Sequence, residues 1–236
     1  MHKNYFITGT DTNVGKTFVT LGLLVAFQQR QLRVAPMKPI AAGTVTIAGY
    51  VVNEDVHQLL AVYEDEIDVQ LVNPYCFNAA IAPHIAAGLE QQEVDLDVIR
   101  RAFLQLAATH DVVLVEGAGG FLVPMNSTTL LSALPTTLNC EVILVVGMRL
   151  GCLNHALLTI EAIKSRGLTL AGWVANTVDA DMPFIVENIA TLQRLIPAPC
   201  LGIVPRLAVA PSTPFKNTAA QIAHYLQIET LLHASV

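Results

Sequence analysis

The feature that most constrains this chain is a glycine-bounded loop set between an opening strand and an apolar helix. An aromatic and β-branched run at Tyr5–Thr8 leads into Gly9-Thr10-Asp11-Thr12-Asn13-Val14-Gly15-Lys16-Thr17, and a helical stretch carrying Phe18, Leu21, Leu24 and Val25 follows. Glycines let successive backbone N–H groups turn inward as an anion nest, and the helix N-terminus adds its positive dipole end. A lysine at the helix start then reaches the terminal phosphates of a nucleotide, and the neighbouring hydroxyl is placed for Mg²⁺. The loop from Gly9 to Thr17 is therefore predicted to cradle phosphates, with Lys16 and Thr17 in these two roles.

The first glycine lies one residue further from Gly15-Lys16-Thr17 than the G-x-x-x-x-G-K-[ST] spacing requires, which makes this a variant Walker A loop. The competing reading is that the glycines only shape a turn and Lys16 is a solvated lysine. A cation in the first helical turn opposes the macrodipole, and a bound anion supplies the reason for it.

The rest of the chain repeats the strand and helix alternation. Apolar runs at 33–37, 112–115, 142–146, 170–175 and 200–204 read as strands, and 16–31, 54–62, 96–108, 155–165 and 184–195 read as helices. Alternation of this kind implies parallel pairing with right-handed crossovers. The strands are apolar on both faces, which suits the centre of a parallel sheet covered by helices. The expected fold is α/β, a doubly wound, mostly parallel sheet with helices on both faces, P-loop NTPase-like, as a single domain over 1–236. Its ligands belong outside the carboxyl ends of the strands.

Composition narrows the function classes. The chain is 53% hydrophobic and 14% charged, yet its longest apolar runs are strand-sized and too short to span a bilayer. Residues 1–4 run straight into a strand with no apolar leader, so a cytoplasmic location and no membrane association are expected. A net charge of −6 argues against a nucleic-acid partner. The four cysteines, Cys76, Cys140, Cys152 and Cys200, form no CxxC pair and read as buried or half-buried packing residues. There is no G-x-S-x-G elbow and no H-E-x-x-H, and His57, His84 and His155 read as interface or helix-surface residues.

Polar residues at the strand ends complete the candidate site. Glu116 closes a buried strand before Gly117-Ala118-Gly119-Gly120, where a carboxylate can meet Mg²⁺ and a bare backbone can approach a ligand. Lys38 ends the second strand as either a snorkelling surface cation or the partner of an anion beside the γ-phosphate. Asp55, in Asn53-Glu54-Asp55, is equally a helix-start acid or a metal ligand. Asn176-Thr177 follows a strand, where asparagine is ordinarily turn chemistry.

Taken in order, Gly9–Thr17, Lys38-Pro39, Asn73-Pro74-Tyr75, Pro83-His84, Val115–Gly120, Val145-Val146-Gly147, Leu150–Ala156 and Gly172–Asn176 closely resemble the dethiobiotin synthetase family over about residues 1–207. The resemblance implies a homodimeric, ATP- and Mg²⁺-dependent cyclo-ligase of biotin biosynthesis that joins CO₂ to 7,8-diaminononanoate (7,8-diaminopelargonate). It further implies Lys16 and Lys38 as catalytic cations, and Thr17, Asp55 and Glu116 as metal ligands. The nucleotide would be met by the loop and by Gly117, Ala118, Gly119, Asn176, Thr177, Pro205, Arg206 and Leu207. The organic substrate would be met by Thr12, Lys38 and Ala42, and by Gly151 and Asn154 across the subunit interface. Asn13 stands where the family commonly has an acid, and Ala42 where it has a serine. Residues 45–52 are apolar where a polar loop is expected, and the tail after Ala208 matches poorly.

A ParA- or MinD-like ATPase switch shares the loop, but its signature lysine five residues before the Walker lysine is Asp11 here. A cobyrinate diamide synthase-like ligase would need a glutaminase domain for which 236 residues leave no room.

Overall fold

A computed structural model describes residues 3–208, 210 and 212–232, so the expectations for Met1-His2 and for parts of the tail lie outside the described residues. In chain order the first half comprises β1 (Lys3–Gly9), α1 (Lys16–Gln28), β2 (Val34–Met37), β3 (Ile40–Ala42), β4 (Val45–Ile47), β5 (Tyr50–Val52), α2 (Glu54–Val62), α3 (Val69–Val72), β6 (Tyr75–Phe77), α4 (Pro83–Leu89) and α5 (Leu96–Thr109). The second half comprises β7 (Val112–Glu116), α6 (Leu134–Thr137), β8 (Glu141–Met148), α7 (Cys152–Lys164), β9 (Leu170–Thr177), α8 (Ile185–Leu195), β10 (Cys200–Val204), α9 (Phe215–Ala223) and α10 (Glu229–Leu232).

Six strands form one sheet in the order β10-β9-β8-β1-β7-β2, and every pairing in it is parallel. Alternate residues of β1 serve opposite faces: Tyr5 and Ile7 join Leu21, Leu24 and Ile222 of α1 and α9, whereas Phe6 joins Ile99, Phe103 and Leu106 of α5. Trp173 of β9 and Val146 of β8 meet Ile160 and Leu192 of α7 and α8. This is the doubly wound arrangement expected from strands apolar on both alternations. The chain winds both ways from β1, which puts the switch point, and hence the ligand crevice, at the carboxyl ends of β1, β7 and β8.

Strand register then does the local placing. Met37 pairs with Val115, so Lys38 and Glu116, the next residues of β2 and β7, come up side by side. Gly147 pairs with Asn176.

The structure departs from expectation in several places. Asn176 and Thr177 lie inside β9, and Asn176 is buried, so it is a strand residue rather than a turn former. The helix predicted over 16–31 stops at Gln28 as Gln31 takes a positive φ, and the one predicted from His155 begins at Cys152. Residues 45–52 form the two-stranded hairpin β4–β5, turning at Ala48 and Gly49 with positive φ. Its Tyr50 and Val51 are exposed. β-branched residues on both sides of a residue pair able to take φ > 0 are a hairpin signal, and it outweighs the loop expectation. Cys76 is exposed, unlike the other cysteines, on β6, which among the described residues pairs with β3 alone in a two-stranded ribbon.

Candidate active site

The loop 10–15 packs over the carboxyl ends of β1, β7 and β8. Asn13 and Gly15 hold φ of 58° and 85°, and Gly15 stands as N-cap of α1 with no side-chain cap and no acid in the first turn. The first-turn N–H groups of α1 thus lack a side-chain acceptor, which is the arrangement a phosphate completes. Lys16 is only 7% exposed. Its Nζ donates to the Asp11 carbonyl at 3.3 Å, and burial holds its pKa below the ordinary lysine value despite the nearby Glu116 carboxylate. A solvated-lysine reading does not survive that burial.

Behind the loop sits a compact charged cluster. Lys38 Nζ donates to Asp55 Oδ2 and to Glu116 Oε1, each at 2.6 Å, and the Thr17 hydroxyl donates to the same Glu116 Oε1 at 2.7 Å. Lys38 is buried, which removes the snorkelling alternative. Burial alone would lower its pKa, but the Glu116 and Asp55 carboxylates together hold it above the usual lysine value. The converse applies to Asp55: burial opposes ionisation, and Lys38, aided by the Thr17 hydroxyl, holds it below the usual carboxylate value. Asn53, not Asp55, is the N-cap of α2 and accepts from Val56 N at 3.2 Å; Asp55 is a first-turn acid of that helix and at the same time the partner of Lys38. Glu116 is fully buried, and among the described residues its second oxygen, Oε2, has no hydrogen-bond partner. A buried carboxyl oxygen without a partner is costly, and a cation bound there would satisfy it. The donors are all oxygens, as a hard divalent cation requires, and two carboxylates with a hydroxyl leave positions for phosphate oxygens and water.

A cleft of about 730 Å³ opens above the cluster. Thr12, Asn13, Gly15, Lys16, Thr17, Lys38, Ala42, Asp55, Ala118 and Gly119 line it, so most of the candidate residues converge on one space. Glu116 and Gly117 lie beneath, Gly117 N donating to Ile7 O at 3.0 Å. Val14 is buried, leaving only its backbone to serve a ligand. Thr177, Pro205, Arg206 and Leu207 are not among the cleft-lining residues; Arg206 donates to Val178 O at 3.2 Å, and Leu207 packs on the core. Gly151 and Asn154 sit exposed at the start of α7, also outside the cleft.

Two features escaped the sequence reading. Ala80, Ile81 and Ala82, leading into the Pro83-His84 pair, form an apolar wall of the same cleft, and the alanine-rich run before α4 is the signal that could have marked it. The Arg149 guanidinium pairs with Asp11 and ties the loop to the segment entering α7. Nothing in the sequence separation of the two residues announces that pair.

A parallel doubly wound sheet whose glycine loop, helix-start lysine and strand-end carboxylate meet at the switch point defines a P-loop nucleotide-binding protein. Residues 3–212 match a family model described as "AAA domain". The chain is 50% identical to the ATP-dependent dethiobiotin synthetase BioD of Cellvibrio japonicus, over 88% of this chain and 91% of that protein. It is likewise 50% identical to the protein of that name from Aromatoleum aromaticum, over 87% and 92%. The chain belongs to the ATP-dependent dethiobiotin synthetase family, whose members are carbon–nitrogen ligases.

Among solved structures it resembles the septum site-determining protein MinD of Pyrococcus horikoshii with Mg-ADP, at a TM-score of 0.55 and 19% identity over 99% of this chain and 98% of that one. A ParA family ATPase from Chlorobium tepidum gives 0.52 and 12%, over 96% and 100%. Likeness at that identity shows the fold alone, and the ATPase-switch reading gains nothing beyond it. No helix of the described residues is long and apolar enough to cross a membrane.

Proposed function

We propose that this chain makes dethiobiotin, ADP and phosphate from 7,8-diaminononanoate, CO₂ and ATP, and that it does so in the cytoplasm. The observation that carries the reading is the Lys38 ammonium, buried between Glu116 and Asp55 at the edge of the phosphate loop. A carbamate forms when one substrate amine adds to CO₂ and loses a proton, and a fixed cation beside the γ-phosphate stabilises that anion. A carbamate oxygen then bonds to the γ-phosphorus as the bridging P–O bond to ADP breaks. In the mixed anhydride that results, the second amine attacks the carbonyl carbon. The C–O bond to phosphate breaks, the nitrogen sheds its proton and the ureido ring closes. The chain's task is positioning and charge neutralisation, and no protein nucleophile takes part.

Thr17, Asp55 and Glu116 would hold Mg²⁺, which when bound neutralises charge on the transferring phosphoryl group. Lys16 would grip the terminal phosphates with the N–H groups of 12–17 around them, and Gly117 to Gly119 would let the nucleotide lie against bare backbone. Asn176, Thr177 and residues 205–207 would meet the base. The apolar wall at Ala42 and Ala80–Pro83 suits the substrate's methylene chain, with Thr12 and Lys38 at its reacting end.

Gly151 and Asn154 would take the substrate carboxylate in a partner's cleft. The α7 start has Gly151 at φ 92° without a side-chain cap, and Leu150 beside it is 91% exposed, as an interface residue of a homodimer would be in one isolated chain. The test supplies 7,8-diaminononanoate, bicarbonate and Mg·ATP and seeks dethiobiotin by mass spectrometry. Absence of product while ATP binds would reject the proposed activity, and light scattering at the monomer mass in an active sample would reject the dimer.

A further inference from the structure

We infer that Asn176 is a positioning residue for the phosphate loop, acting through the Val14 carbonyl and independently of any nucleotide base. Asn176 Nδ2 donates to Val14 O at 2.8 Å, across 162 residues of sequence, and the two residues are 5% and 1% exposed. The Val14 side chain is wedged between two strand-end glycines. A Cβ on Gly9 would lie 2.5 Å from one of its methyl groups, and a Cβ on Gly147 would lie 2.8 Å from the other. A Cβ on Gly15 would run into the Asn176 amide itself. Side chain and carbonyl of Val14 are thus both held.

The consequence follows from peptide geometry. In a planar trans peptide the C=O and the following N–H point in opposite directions. Fixing Val14 O against Asn176, behind the loop, therefore turns the Gly15 N–H away from Asn176 and toward the cleft that Gly15 lines. The backbone alone would permit a different arrangement, because turning the Val14–Gly15 peptide over changes only ψ of Val14 and φ of Gly15, and glycine takes either sign of φ readily. A flipped peptide would present a carbonyl to the phosphates in place of a donor. A carbonyl only accepts, so the amide must face it with nitrogen, and no rotation of the side chain by half a turn restores the bond.

The inference rests on the loop being the triphosphate site, and the experiment separates the two. Binding of Mg·tripolyphosphate, which has no base, is compared with binding of Mg·ATP for wild type and Asn176→Asp. Asn176→Asp keeps the shape but sets an acceptor against the Val14 carbonyl. Tripolyphosphate affinity is expected to fall about tenfold or more in the variant, the scale of a lost and inverted buried hydrogen bond. Asn176→Ala, which adds no charge, should lower it in the same sense and serves if Asn176→Asp unfolds early in a thermal melt. Weaker ATP binding with unchanged tripolyphosphate binding would overturn the inference and leave Asn176 a base contact alone. Wild-type protein that binds neither probe would overturn the phosphate-site reading and this inference with it.

Discussion

Lys38→Ala is expected to lower turnover by about a thousandfold, while the affinity for Mg·ATP changes by less than about threefold. In the proposed reaction the ammonium meets charge that develops on the carbamate and the transferring phosphoryl group, so its removal raises the barrier more than it weakens the ground state. Single-turnover kinetics and calorimetric titration with ATP separate the two effects. Loss of ATP affinity with turnover intact would remove Lys38 from the chemistry.

The same substitution bears on stability. Glu116 is fully buried, and Lys38 is the cation that it pairs with. Truncating one partner of a buried pair costs about 3–5 kcal/mol. Glu116 Oε1 would keep the Thr17 hydroxyl, so we expect the lower end of that range. The pH dependence has a defined sign on both limbs. Lys38 has a folded pKa above 10.5, so its contribution is complete below that unfolded value and is lost as pH rises through the folded one. Asp55 has a folded pKa below 3.8, so its contribution is present above that value and disappears as pH falls. Denaturant melts of the wild type should show the pair undiminished between these limits, and the acid limb due to Asp55 should flatten in Lys38→Ala.

The second large effect is expected at Glu116. Glu116→Gln retains the volume and the hydrogen-bond reach to Thr17 and Lys38 but removes the charge that the orphaned Oε2 would offer to a cation. Turnover should fall by about a hundredfold or more, and the Mg²⁺ concentration for half-maximal ATP binding should rise at least about tenfold. Titration of ATP binding against Mg²⁺ measures this directly. An unchanged Mg²⁺ requirement would show that Glu116 serves only to anchor Lys38.

The two substitutions are coupled through one hydrogen-bonded cluster, so their effects should not add. With Glu116→Gln, Lys38 still has the Asp55 carboxylate at 2.6 Å, whereas in Lys38→Ala the buried Glu116 has no other cation bonded to it among the described residues. The double variant should therefore be more stable than the sum of the single losses implies.

Much of this molecule is written in local sequence. The Gly9–Thr17 spacing fixes the loop, because only glycine tolerates the close approach of Val14 at position 9 and only a strand before and a helix after can present its N–H groups together. Apolar runs on both alternations dictate central parallel strands, and these come out within a few residues of expectation. The resemblance to one family could be drawn because its motifs are short and contiguous.

What sequence could not decide was how residues distant in the chain face one another. Lys38 and Asp55 each had a plain alternative, as a snorkelling surface cation and as a helix-start acid. Strand register set Lys38 beside Glu116 and burial of both removed the surface-cation alternative, while Asp55 stayed a first-turn acid and gained Lys38 as a partner. Asn176 read as turn chemistry from its own sequence position and as a nucleotide contact only through the family resemblance; the structure carries β9 past it and sets its amide against Val14. A hydrogen bond's value depends on what the same group would do in water, and that is settled by tertiary packing, which no local pattern records.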